Sequence, residues 1–125
     1  MDQEIKHLIR VRGCIQASLT CIQTFVQQYD ESQDVLNIKL RMGRLEEIWN
    51  KYEEIQDRLE SIDRDPSKHD DFRNDFETKF YDLNVKMQRI TDEHDAKSTN
   101  RYRQLRHYVI EVQVFLYQCE FDQIK

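Results

Sequence analysis

The stretch "RLEEIWNKYEEIQDRLE", residues 44–60, holds nine charged side chains among seventeen, with the chain's single tryptophan among them. Leu45, Trp49, Tyr52 and Leu59 recur at steps of three, four or seven, the spacing that lines up one face of an α-helix. Val35, Ile38 and Met42 continue the stripe towards the N-terminus. In heptad notation Met42 and Trp49 take a, Leu45, Tyr52 and Leu59 take d, and Ile48, Ile55 and Ile62 take the flanking g position. The acid pairs, Glu46 with Glu47 and Glu53 with Glu54, fall on the other side beside Arg44, Lys51 and Arg58. They read as a solvated face laced with i,i+4 ion pairs, because acid–base chemistry needs carboxyls perturbed by burial. Trp49 is thereby a packing anchor, and the fold is helical.

The rest of the chain agrees. It has 125 residues, two glycines (Gly13, Gly43) and one proline (Pro66), so the turn residues of β-hairpins are nearly absent. Four helices are predicted, at roughly 3–29, 33–63, 67–95 and 99–123, in one domain spanning 1–125. The first carries Ile5, Leu8, Ile15, Leu19, Ile22, Val26 and Tyr29; Gly13 within it is read as a close approach or a kink. Asp30 or Ser32, with Gln33, is a candidate cap for the second. Pro66, Asp70 and Asp71 suit the first turn of the third, which carries Phe72, Phe76, Phe80, Leu83, Met87, Ile90 and His94. Ser98 or Thr99 is a candidate cap for the fourth. The expected architecture is all-α: long antiparallel helices in an up-and-down three- to four-helix bundle with coiled-coil-like packing.

The fourth segment has two apolar stripes. Tyr102, Leu105, Val109, Val112, Leu116 and Cys119 form one; Ile110, Val114, Tyr117, Phe121 and Ile124 form the other. Two apolar faces need two partners. One reading has the bundle cover the first stripe and leave Ile110, Val114, Tyr117 and Phe121 as a homodimer interface or a surface for a host protein. The other makes this helix central and buried all round. Because "VIEVQVFLY" also alternates and is rich in β-branched residues, a strand competes with helix over 108–117.

Chemistry is hard to find. Gly13 and Gly43 stand alone, so no phosphate loop is present, and His7, His69, His94 and His107 lack metal-ligand spacing. "TDEHDAK" gathers Asp92, Glu93, His94 and Asp95, but consecutive helical residues point in different directions. No cofactor, metal site or catalytic residue is expected. The net charge of −5 argues against a surface built mainly for phosphates. A nucleic-acid alternative rests on Lys39, Arg41 and Arg44 joining Arg101, Arg103 and Arg106 in one basic patch at the starts of helices 2 and 4. Cys14, Cys21 and Cys119 form no CxxC pair; they read as buried thiols of a reducing compartment, cytoplasmic or nuclear. No stretch is apolar enough to span a membrane and no secretory leader is visible.

Three stretches also resemble the Gag-side helical region of BEL/Pao LTR retrotransposons. "RGCIQASLTCIQTF" (Arg12 to Phe25) is similar to that family's arginine-glycine start followed by a threonine and an aromatic, here Thr20 and Phe25. "RLEEIWNKYEEIQDRLE" resembles its leucine, acid-acid, tryptophan and glutamate-glutamine segment, and "FETKFYDLNVKM" its closing acid, aromatic-pair and leucine segment. The likeness covers roughly residues 8–90 and does not extend to the fourth segment. It implies a noncatalytic module of such an element, or of a host gene descended from one, acting by self-association or partner binding.

Overall fold

In the computed structural model, backbone is described for residues 2–124 and side chains for 3–119. All regular structure among the described residues is helical: α1 Asp2–Gln27, α2 Leu36–Ile62, a 3-10 turn Pro66–His69, and α3 Asp70–Ile124. The chain divides by its internal contacts into two compact units, Met1–Thr91 and Asp92–Lys125.

The third and fourth segments expected from the sequence are one helix. No glycine or proline follows Pro66, and the residues at the expected break, Ala96 and Lys97, propagate a helix well. Thr99 does not cap. Its Oγ1 donates to the Asp95 carbonyl one turn back at 2.9 Å, a bond made inside a continuing helix. The 108–117 stretch is helical rather than a strand, because its β-branched residues find no pairing strand.

The α2 start also differs. Asp30 accepts from the Ser32 amide at 2.7 Å and Gln33 Oε1 accepts from the Asp30 amide at 3.3 Å, so these residues close a turn before the helix. Asp34 Oδ1 accepts from the Leu36 amide at 2.9 Å, and it is Asp34 that meets the first helical N–H. At the other junction Pro66 opens the 3-10 turn, and Asp70 and Asp71 lie in the first turn of α3, complementing its dipole.

The stripes meet in the first unit. Ile15, Leu19, Ile22 and Val26 of α1 pack with Ile38, Leu45, Ile48 and Tyr52 of α2 and with Phe76, Phe80, Leu83 and Met87 of α3. Trp49 is half-buried against this core, its ring 4.6 Å from Phe80 and 5.3 Å from Tyr52, and Tyr52 stacks on Phe76 at 4.1 Å. Glu4, near the start of α1, pairs with Arg58, near the end of α2, at 2.9 Å. The Arg41 guanidinium lies 3.5 Å from the centre of the Phe25 ring. Gly13 marks no close approach: α1 continues through it, and a Cβ there would meet nothing within 4 Å. Cys14, Cys21 and Cys119 are exposed and free, not buried; on α1 the packed stripe falls on Ile15, Leu19 and Ile22, one position from each of the first two thiols.

Candidate functional site: an exposed apolar helix

Within the second unit every described side chain from Asp92 to Cys119 is exposed. These include ten large hydrophobics: Tyr102, Leu105, Tyr108, Val109, Ile110, Val112, Val114, Phe115, Leu116 and Tyr117. Leu105 is 65% exposed and Tyr117 71%. A surface helix ordinarily buries one stripe and turns charge outward, and large apolar patches left open mark interaction sites.

Both readings of this segment therefore change. It is not buried all round, and its first stripe is as open as its second. Of the four residues expected at an interface, Ile110, Val114 and Tyr117 are exposed; Phe121 belongs to α3, with its side chain outside the described ones. The first stripe was missed as a surface because the sequence pattern placed a turn near residues 95–99. Without that turn, nothing in the pattern assigns a cover to it.

The helical wheel separates the two stripes. Tyr102, Leu105, Val109, Val112, Leu116 and Cys119 alternate by three and four, a strict a/d seam. Ile110, Val114 and Tyr117 lie on the opposite side, and Tyr108 and Phe115, seven apart, flank the seam at g. Polar groups fill the remainder; His107 Nε2 lies 3.0 Å from Glu111 Oε1 one turn on.

The first unit has a polar site that sequence reading missed. Arg12, Gln56 and His69 are buried. Arg12 Nη1 donates to Gln56 Oε1 at 3.1 Å and lies 3.0 Å from His69 Nδ1, while its guanidinium covers the Phe72 ring at 4.1 Å. Gln56 Nε2 donates to the His69 carbonyl at 3.1 Å, and His69 Nε2 faces Asp63 Oδ2 at 2.9 Å. Because Arg12 can only donate, His69 Nδ1 accepts and Nε2–H points at the Asp63 carboxylate. Arg73 extends the cluster, with Nη2 2.6 Å from Glu60 Oε2, and with Glu77 and Asp57 at 3.2 and 3.3 Å. One cluster thus ties α1, the end of α2, the 3-10 turn and the start of α3. The sequence did carry a signal for it: Gln56 sits one heptad after Trp49, at the same a position.

Electrostatics follow from that packing. Burial lowers the Arg12 pKa, and the hydrogen bonds that Arg73 donates to Glu60 raise that of Arg73. The Arg73 hydrogen bond holds Glu60 below the ordinary carboxylate range; the Asp65 amide, and then His69, do the same for Asp63. Burial pushes the Tyr52 phenol up to about 12, and its hydroxyl is buried without a hydrogen-bond partner. These groups hold a joint together.

The basic residues of the nucleic-acid reading fall in both units. Arg41 is engaged by Phe25 and donates to the Asn37 carbonyl at 3.1 Å, and Arg44 pairs with Glu47 at 2.8 Å; Lys39 is exposed on the same helix. Arg101, Arg103 and Arg106 are exposed on α3. Arg103 and Arg106 share a face there, and Arg101 lies about 140–160° around the helix. Their expected meeting with α2 depended on the turn that is helix instead. An apolar groove on the first unit is lined by Met42, Gly43, Leu45, Trp49, Phe80 and Asn84. Among the described residues no group of three or more His, Cys, Asp or Glu side chains is placed to hold a metal ion, and no helix is long and apolar enough to cross a membrane. No protein-family model, curated protein or solved structure matches this chain.

Proposed function

We propose that the chain is a noncatalytic helical interaction module that self-associates, as a dimer, through the apolar segment of its second unit. The observation that carries this is the exposure of all ten large hydrophobics between Tyr102 and Tyr117. Leaving such a surface in water is unfavourable by about 25 cal/mol for each Å² of apolar area that a partner would cover. The resemblance of residues 8–90 to the BEL/Pao Gag-side region supports the same reading, as a module of such an element or of a host gene domesticated from one. In the first unit, the Glu4–Arg58 and Phe25–Arg41 contacts support an antiparallel, up-and-down course for α1 and α2. Three exposed, free thiols suit a reducing cytoplasmic or nuclear setting.

Sedimentation of the full chain over micromolar concentrations tests this. The wild type should exceed its 15.3 kDa monomer mass in a concentration-dependent way. A variant carrying glutamate at Val109, Val114, Leu116 and Tyr117 should be monomeric. A wild type that stays monomeric throughout overturns the proposal.

A further inference from the structure

Charge is segregated along the segment that carries the exposed seam, and Arg101, Arg106, Glu120 and Asp122 fall at the g and e positions that flank it. From residue 96 to 110 the chain has Lys97, Arg101, Arg103 and Arg106 and no acid; from 111 to 124 it has Glu111, Glu120 and Asp122 and no base. Two such helices side by side in parallel would set like charge against like, with Arg101 of one copy flanking Arg106 of the other, five residues on, across the g and e positions. Side by side in opposite directions, they bring the basic half of each against the acidic half of the other.

The seam accepts that direction without a slip. Antiparallel packing layers an a residue against a d residue. Here that gives Val109 against Val112, Leu105 against Leu116 and Tyr102 against Cys119, each layer occurring twice by symmetry. The same register sets position 101 beside position 122, arginine beside aspartate, and Tyr108 beside Phe115. Both aromatics are exposed in the single chain, at 65% and 64%, and would widen the covered strip. The opposite stripe offers fewer described residues, Ile110, Val114 and Tyr117, and would be left outside the seam.

Building on the self-association reading above, we infer that a second copy of this chain occupies the Tyr102-to-Cys119 seam and runs antiparallel, with Val109 of each copy layered on Val112 of the other. The interface is isologous, as a two-fold dimer requires. It buries Cys119 against a tyrosine and not against its own symmetry mate.

Cysteine cross-linking separates the directions. In a Cys14→Ser, Cys21→Ser background, oxidation with diamide should yield no covalent dimer, because the two Cys119 thiols lie at opposite ends of the seam. Adding Tyr102→Cys should yield one, since Cα atoms across a layer come within disulfide range. Seam charges, Val109→Glu with Val112→Glu, should weaken dimerisation about a hundredfold or more, whereas Val114→Glu with Tyr117→Glu on the opposite face should leave it intact. Arg101→Asp should weaken the dimer and Asp122→Arg added to it should restore it.

Covalent dimers through Cys119 alone would show a parallel pair and overturn the inference while leaving self-association standing. So would a solution dimer that neither background cross-links, or one that only the Val114 and Tyr117 charges dissociate. A monomeric wild type overturns both. Apart from Cys14 and Cys21, which are exposed on α1, all substituted positions are on the second unit, so the packed core of the first unit is left unchanged in every arm.

Discussion

Phe76 and Phe115 belong to the same helix, yet Phe76 is 1% exposed beneath Tyr52 while Phe115 is 64% exposed. Their local sequence settings are alike: both sit in glycine-free, proline-free helical pattern. The difference lies in what surrounds them. In the first unit, α1 and α2 supply matching stripes and a buried polar joint, whereas in the second unit the described apolar side chains are exposed. Helix formation and core formation are thus separate events along α3. Propagating a helix once nucleated is nearly neutral per residue, so α3 can run on past the residues that pack it. Covering the second stretch is the role proposed above for a second copy of the chain.

The sharpest way to break this contrast is truncation on each side of it. Phe76→Ala should lower the unfolding free energy of the chain by about 3–5 kcal/mol, as expected for emptying a packed aromatic site. Phe115→Ala, measured by urea denaturation at concentrations where the chain is monomeric, should change it by less than about 0.5 kcal/mol. Equal losses would show that the second unit is packed after all.

The polar joint comes next. Arg12→Met leaves Gln56 Oε1 and His69 Nδ1 buried without their donor, and stability should fall by about 2–4 kcal/mol, also by urea denaturation. Acid should weaken the same region. Glu60 and Asp63 have pKa values below the ordinary carboxylate range in the fold, so their ionised forms contribute stability that is fully present above the unfolded pKa of about 4. That contribution is lost as pH falls through the lower, folded values. The melting temperature should drop on that acid side, and Glu60→Gln should flatten the drop.

Smaller effects sharpen the comparison from the backbone. Gly13 and Gly43 are helical, and an added Cβ meets nothing within 4 Å at either. Alanine at each should raise stability by about 1 kcal/mol in thermal unfolding. Tyr52→Phe removes a buried hydroxyl that has no partner, so it should be neutral or slightly stabilising, within about 1 kcal/mol. A large loss there would reveal a partner for that hydroxyl.

Much of the first unit was legible in the residues. Leu45, Tyr52 and Leu59, Ile15, Leu19 and Ile22, and Phe76, Phe80 and Leu83 stood out by their spacing, because burying an apolar stripe is what three- and four-step periodicity is for. Arg12, Gln56 and His69 did not. Polar side chains are ordinarily solvated, and their burial depends on partners 44 and 57 residues away in sequence. The exposed thiols followed from rotation: Cys14 and Cys21 sit one position from the packed stripe of α1. The helix through residues 95–99 was missed because Ser98 and Thr99 are cap residues by type, and only the absence of a chain reversal turned Thr99 back onto Asp95.

The sequence by itself determined the all-helical class, the stripes that would seek cover, and the segregation of charge from Lys97 to Asp122, since these depend on residue type and spacing alone. Tertiary structure decided which stripes found cover. It joined two expected helices into α3, closed the Arg12–Gln56–His69 joint, and left the Tyr102-to-Cys119 seam open. The physical reason is that burial belongs to pairs of surfaces, and a linear pattern records only one member of each pair.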